Sequence, residues 1–382
     1  MKNRIEIPQI VKDIAKVLIK NKNQAFVVGG AVRDAVMGQD SKDIDIATDL
    51  FVDEVIELLK DQPFTDEIKK TGDKFPVARI FTKDGSEFEI ATFRADSGEG
   101  KDTDFEVVST IEGDVARRDF TFNALFANAL SGHIIDLVGG LQDLENGIVR
   151  FVGDPVKRIK EDRTRLLRMV RFAERFGFKI PFDDLELIKE NNTLIEGLDE
   201  KDQVKKEMIV NEMTKGLDQA KDKVSFMNTL LDLGLLEQCF PGLKISRPHV
   251  EGWQVERMLV QILWNNNPKD VSKTLHDMKW SSKVINRVES FLTIKDHDLK
   301  SDDFNGLSRF VKKLNACEAL ACFDETFITV MFEDNRKRFA WTLLNFKLTV
   351  KREDFPEIPN GPELGKAIHN KEMDRLKKIA KI

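Results

Sequence analysis

Hydrophobic positions follow two rhythms along this chain, and the rhythm changes near Pro155. Before about residue 130, short runs with strand character, AFVVGG, DIDIAT, PVARIFT and EFEIATFR, alternate with helix-forming stretches. Mixed order of that kind predicts an α+β domain built on one sheet. The same reading predicts a helix from about Arg118 to Ala129. Over ADSGEGKDTD, from Ala95 to Asp104, the text is polar, glycine-bearing and without period, which predicts a mobile loop. From Ile134, IIDLVGGLQDLENGIVRFVGDP reads as a short strand, turns and another strand. Beyond Pro155 apolar residues recur at helical spacing, as at Leu166, Val170, Ala173 and Phe176, so the rest of the chain should be mostly helical. Breaks are expected at Gly177 to Pro181, Gly197 to Asp199, Pro241 to Pro248 and Pro356 to Pro362.

One stretch inside the first rhythm carries chemistry. Residues 26–49 read FVVGGAVRDAVMGQDSKDIDIATD: an apolar strand, a Gly29-Gly30 turn, a helix-like AVRDAVMG and a second strand in which Asp43 and Asp45 alternate with Ile44 and Ile46. Strand residues two apart point to one face. Two carboxylates held side by side repel, and a divalent cation between them removes that cost. The Gly-Gly turn lets backbone N–H groups approach an anion closely. Cation site and phosphate cradle together suggest a nucleotide. Taken singly, the Gly-Gly turn is common and DID can be the polar side of an exposed strand. The order strand, Gly-Gly, helix with Arg33 and Asp34, strand with Asp43 and Asp45 is far more specific.

Composition narrows the setting. At 382 residues the chain should split into two to four units, and 41% apolar residues supply their interiors. Cys239, Cys317 and Cys322 are odd in number and form no close CxxC pair, which argues for reduced thiols and a cytoplasmic setting. No stretch approaches about 18 consecutive apolar residues, so no membrane insertion is expected. Formal net charge is −6, with 18 Lys plus Arg against 25 Asp plus Glu in residues 1–130 and 42 against 41 in the remainder. Local basic patches can still form a nucleic-acid track, but charge does not identify the partner. Tyrosine is absent while phenylalanine occurs 27 times. The five histidines are scattered, and His276-Asp277 lacks partners for a metal-dependent phosphohydrolase.

Two further constellations follow. In Arg117-Arg118-Asp119-Phe120-Thr121-Phe122-Asn123-Ala124, Asp119 reads either as a helix N-cap or, beside a phosphate site, as a sugar contact with Asn123, while Arg118 offers a planar donor fork. In RIKEDRTRLLRMVRF, from Arg158 to Phe172, helical spacing puts Glu161 and Asp162 on one face with Arg165. By spacing alone these are ordinary surface ion pairs.

Together the motifs resemble the class II tRNA nucleotidyltransferases, that is, the CCA-adding enzymes and their close relatives the bacterial poly(A) polymerases. The family patterns GGxVRD with DxD, RRDFTxNA, and EDxxR ahead of RxVRF stand here as GGAVRD with DID, RRDFTFNA, and EDRTR with RMVRF. The likeness covers residues 20 to 180 and continues weakly through KKEMIVNEM, LLDLGLLEQCFPGL and PNGPELGKAI. It implies that Asp43 and Asp45 are catalytic and hold two Mg2+ ions. It also implies nucleotide binding by Gly29, Gly30, Arg33, Arg118, Asp119, Asn123, Asp162, Arg165 and Arg168, with Asp162 and Arg165 selecting the base. A carboxylate facing the exocyclic amine and a guanidinium facing the ring nitrogen suit cytosine and adenine alike, and reject guanine and uracil. The implied reaction adds CMP and AMP from CTP and ATP to the 3′ end of tRNA. A poly(A) polymerase, a partial CC-adding or A-adding enzyme and a catalytically silent RNA-binding protein remain alternatives at this point. The implied parts are a catalytic head at 1–135, a nucleotide-selecting neck at 136–215, a helical body at 216–300 and a tRNA-binding helical tail at 301–382. Two departures stand out: Met208 replaces the arginine of the family's ERI helix start, and Lys101-Asp102-Thr103-Asp104 replaces an Arg-x-Pro element in the loop.

Overall fold

The computed structural model describes residues 3–41, 43–72, 76–97, 104–107, 110–195, 198, 203–250, 254–296 and 349–380, with short pieces between 322 and 346. Two compact units divide it, Met1–Val204 and Lys205–Ile382.

The first unit is built on a mixed sheet of seven strands. Its strands are β1 (Ala25–Val28), β2 (Ile44–Thr48), β3 (Thr65–Thr71), β4 (Val77–Thr82), β5 (Glu87–Thr92), β8 (Phe126–Asn128) and β9 (Ile134–Ile135), in the order β3-β4-β5-β2-β1-β8-β9. Only β2 and β5 run parallel. Register puts Lys69, Arg79, Glu89, Asp45, Val28 and Phe126 in one row across six strands. The alternate row, with Ala78, Ile90, Ile46 and Val27, is buried. Helix α3 (Val52–Leu59) packs against β3, β4 and β5, and α1 (Gln9–Leu18) packs on α3. In α1 the apolar stripe Val11, Ile14, Ala15 and Leu18 falls at helical spacing and is buried. Around β1 and β8 the other face is closed by a cluster of Phe26, Val28, Phe93, Ile111, Val115 and Phe126.

Two local expectations are corrected. In place of one helix from Arg118 to Ala129, a short α4 (Ile111–Ala116) ends before the arginine pair, Thr121–Asn123 forms one 3-10 turn, and the chain then runs as β8. Phe120, Phe122, Ala124, Leu125, Phe126 and Ala127 are all buried, and a run buried on every side carries no period that separates helix from strand. Pairing with β1 decides the outcome. The loop expected over Ala95 to Asp104 is partly strand: β6 (Arg94–Ser97) and β7 (Asp104–Val107) form an antiparallel ladder, and residues 98–103 lie outside the described residues.

The remainder is helical, as its periodicity predicts. After α5 (Gly140–Asn146) come α6 (Pro155–Glu161), α7 (Thr164–Phe176) and α8 (Phe182–Glu190). Asp154 caps α6 by accepting from the N–H groups of Val156 and Lys157, with Pro155 in the first turn. The second unit contains α9 (Lys206–Gln219), α10 (Lys223–Asp232), α11 (Leu236–Cys239), α12 (Val255–Ile262), α13 (Pro268–Asp277) and α14 (Ser282–Asp296), and helices at Glu325–Met331 and Pro362–Ala380. Cys239 and Cys322 are buried free thiols, and Cys317 lies outside the described residues. Among the described residues no helix is long and apolar enough to cross a membrane.

Helices α9 and α10 meet at Gly216, where an added Cβ would stand 2.1 Å from the Phe226 ring. Since Phe226 is itself 1% exposed, the ring has nowhere to retreat. Gly216→Ala is therefore expected to lower stability by about 1–3 kcal/mol through overpacking, read as an earlier denaturant midpoint.

Candidate active site

The site forms where β1 ends and β2 begins. After Val28 the chain turns at Gly29, φ +65°, and enters α2 (Gly30–Val36). The backbone conformation calls for glycine there, and a Cβ at residue 29 would stand 3.1 Å from Nη1 of Arg118, a tight contact that would press on the guanidinium. Because β1 and β2 are antiparallel, this turn emerges beside Asp45, the register partner of Val28. Asp43 immediately precedes β2 and is exposed.

Glu89 on β5 is the register partner of Asp45 on the other side. Asp45 is reached by solvent but lies down in the cleft. Burial first, then the charges of Glu89 and Asp43, raise its pKa above the ordinary carboxylate value, with Arg118 opposing. Arg79 donates to Glu89 at 2.5 Å. An all-oxygen donor set under mutual repulsion fits a hard divalent cation. Among the described residues no group of three His, Cys, Asp or Glu side chains is arranged as a closed metal cage. Magnesium commonly takes one or two carboxylates and leaves its other positions to water and phosphate oxygens.

The arginine pair is anchored by a residue that the motifs did not single out. Asp114, 1% exposed on α4, accepts from Nε and Nη2 of Arg118 at 3.2 and 2.8 Å and from Nε of Arg117 at 2.8 Å. Burial alone would raise its pKa, but the charges and hydrogen bonds of Arg118 and Arg117 outweigh burial and hold it below the usual range. Arg118 is aimed further by Nη1 donating to the Asn123 carbonyl at 3.3 Å and by its position 4.8 Å above the Phe126 ring. Asp114→Asn is expected to cost on the order of 3 kcal/mol, since two arginines lose their buried counter-charge, and to raise KM for nucleotide several-fold. The contribution is complete above the unfolded carboxylate pKa of about 3.9 and fades as pH falls through the lower folded value. Denaturant melts of wild type and variant should therefore converge on acidification.

Asp119, Asn123 and Arg33 form one network. Oδ1 of Asp119 accepts from the Phe120 N–H at 2.8 Å and from the Asn123 amide at 3.2 Å, and Oδ2 accepts from Nε of Arg168 at 3.0 Å and from its Nη2. Burial opposes this charge, but Arg168 and the hydrogen bonds prevail and lower the pKa. Arg33, 4% exposed, donates to Asp34 at 2.8 Å and to Oδ1 of Asn123 at 2.5 Å, and lies 4.9 Å over Phe176 and 5.5 Å over Phe172. The structure thus brings Gly29, Arg118, Asp119, Asn123, Arg33 and Arg168 into one connected group.

On α6 and α7 the charged residues are buried rather than solvated. Arg158, Glu161 and Arg165 are 6%, 7% and 7% exposed. Nη1 of Arg165 donates to Glu161 and to the Arg158 carbonyl, both at 2.8 Å, and Nη2 donates to the Arg117 carbonyl at 2.9 Å, which ties α7 to the arginine pair. Oδ1 of Asp162, between α6 and α7, accepts from the N–H and hydroxyl of Thr164 at 2.9 and 2.5 Å. Among the described residues Oδ2 of Asp162 and Nε of Arg165 have no partner, which leaves one acceptor and one donor unused.

Sequence reasoning missed Asp114 and Glu89. Asp114 was findable, because a carboxylate three and four residues ahead of an Arg-Arg pair reaches both from one helical turn. Glu89 became a neighbour only through strand register, although EFEIAT shows the alternation that puts it on one face with Glu87.

The Poly A polymerase head domain family matches residues 25–150. A CCA-adding enzyme of Pediococcus pentosaceus is 32% identical over 330 residues, covering 82% of this chain and 78% of that protein. Poly(A) polymerase I of Haemophilus influenzae is 32% identical over 263 residues, covering 65% of this chain and 55% of that one. Among solved structures, a CCA-adding enzyme in its apo form II superposes with a TM-score of 0.71 at 22% identity, covering 98% of this chain and 93% of that one. The Bacillus stearothermophilus CCA-adding enzyme in complex with CTP gives 0.67 at 24%, covering 97% and 93%. At those identities the structural likeness concerns the fold.

Proposed function

Because this chain belongs to the CCA-adding enzyme family, we propose that it adds CMP and AMP from CTP and ATP to the 3′ end of tRNA. The observation that carries the reading is the meeting of three parts at one end of the sheet: the Asp43–Asp45 pair, the Gly29 turn with Arg118 against it, and the Asp119–Arg168 pair that connects to α7. Asp43 and Asp45 would hold two Mg2+ ions, which when bound lower the pKa of the attacking 3′-hydroxyl and offset the charge of departing pyrophosphate.

The chain's own residues bind and orient. Arg118, fixed by Asp114, presents its remaining donors toward the phosphates, and the Gly29-Gly30 turn admits them without a side chain in the way. Arg33 and Asn123 brace Asp119, so that it and Arg168 present a fixed edge to the nucleotide. The unused Oδ2 of Asp162 accepts the exocyclic amine of cytosine or adenine, and Nε of Arg165 donates to the adjacent ring nitrogen. Guanine and uracil would turn a carbonyl toward the carboxylate. Base choice therefore needs no nucleic-acid template. The working division of the molecule is head 1–135, neck 136–215, body 216–300 and tail 301–382, with tRNA held in part by the tail. Arg336, Lys337 and Arg338, basic candidates there, lie outside the described residues. The cytoplasm supplies all three substrates.

Incubating the protein with tRNA lacking its CCA end, with CTP and ATP separately and together, and sequencing the products tests the reading. CC with CTP alone and CCA with both are expected. Long adenylate tails would place the chain with the poly(A) polymerases instead.

A further inference from the structure

Four carboxylates and one cation line the recess of about 700 Å³ in which Asp45 stands. The acids form two rows on neighbouring parallel strands: Asp45 pairs in register with Glu89, while Asp43 and Glu87 each come one residue before the pair of Ile44 with Phe88. The cation is Arg79, which reaches the second row from β4. Its Nη2 donates to Glu89 at 2.5 Å, and its Nε lies 3.1 Å from Glu87. One guanidinium therefore serves both glutamates. Among the described residues the carboxylates of Asp43 and Asp45 have no ion pair or hydrogen bond. Solvent reaches 40% of the Arg79 side chain, so the pairing adds little to stability. What it changes is the charge of the recess. Glu89 stands close enough to Asp45 for its charge to raise the Asp45 pKa, and Arg79 offsets that charge at its source.

We propose that Arg79 is a positioning residue for the divalent cation: by neutralising Glu87 and Glu89 it leaves Asp43 and Asp45 as the unspent charge of the recess, and it holds the affinity of that site below what four free carboxylates would give. A guanidinium and a divalent ion compete for the same carboxylate oxygens, and the one built into the chain cannot diffuse away. With only two acids left to it, cation binding leans on the phosphate oxygens of a bound triphosphate, which couples it to substrate. The inference deepens the nucleotidyl-transfer reading and rests on it.

The test is Mn2+ binding to the full chain without nucleotide, at low ionic strength, read from the electron paramagnetic resonance of free Mn2+. Arg79→Gln should bind Mn2+ about five- to tenfold more tightly than wild type, the effect on a divalent ion of one freed carboxylate charge about 7 Å away in water. Arg79→Lys keeps the charge and should stay near the wild-type affinity. Adding Glu89→Gln to Arg79→Gln should remove the gain. An unchanged affinity in Arg79→Gln, an equal gain in Arg79→Lys, or a gain that survives Glu89→Gln overturns the role of Arg79. Mn2+ binding that Asp45→Asn leaves untouched would instead sink the metal reading of Asp43 and Asp45, and this proposal with it.

Discussion

Asp45→Asn should abolish nucleotide incorporation, by roughly a thousandfold or more, in a protein that folds at least as well as wild type. The rate estimate follows from the several kcal/mol of transition-state charge that a carboxylate-held cation offsets. The stability expectation follows from the environment of Asp45: burial and the charges of Glu89 and Asp43 raise its pKa, so its ionised form is disfavoured in the folded chain relative to the unfolded one. At neutral pH that charge works against folding, and the amide removes it. Incorporation assays beside thermal melts separate the two effects, and undiminished turnover in the variant would remove Asp45 from the chemistry.

Asp162→Asn should change which nucleotide is used rather than whether one is bound. An asparagine Oδ1 accepts as the carboxylate oxygen does, so the hydrogen bonds from Thr164 to Oδ1 survive. An amide can instead present a donor where the carboxylate presented only acceptors. Catalytic efficiency with CTP and ATP should fall about ten- to a hundredfold, from a charge-assisted hydrogen bond worth roughly 1.5–3 kcal/mol, and the discrimination against UTP and GTP should relax by a similar factor. Arg165→Ala should relax it too, with a loss of stability as well, because Arg165 is also the buried partner of Glu161 and the Arg117 carbonyl. Steady-state kinetics with all four triphosphates would read this, and an unchanged preference would exclude base selection by α7.

What was legible in the sequence was local. Strand, Gly-Gly, helix and DxD lie within one stretch of chain, and the pairing of its two strands, β1 with β2, sets Asp45 beside the turn. The long helices past Pro155 show their period openly, because each buries one stripe. The segment from Phe120 to Ala127 fails the same test, because it is buried all round and its strand state is decided by β1. Glu89, too, is joined to Asp45 only by the parallel pairing of β5 with β2, which no short-range spacing encodes. Arg158, Glu161 and Arg165 look like a solvated helix face in sequence and are buried in the fold, since α7 packs where Phe120, Phe122 and Phe172 meet.

The central claim is that Asp43 and Asp45 grip divalent cations around a bound triphosphate. Crystals of the full chain soaked with Mn2+ and CTP, measured at the manganese edge, test it directly. Anomalous peaks between the two carboxylates and the triphosphate are predicted. Peaks elsewhere, or none with CTP bound, would contradict the account.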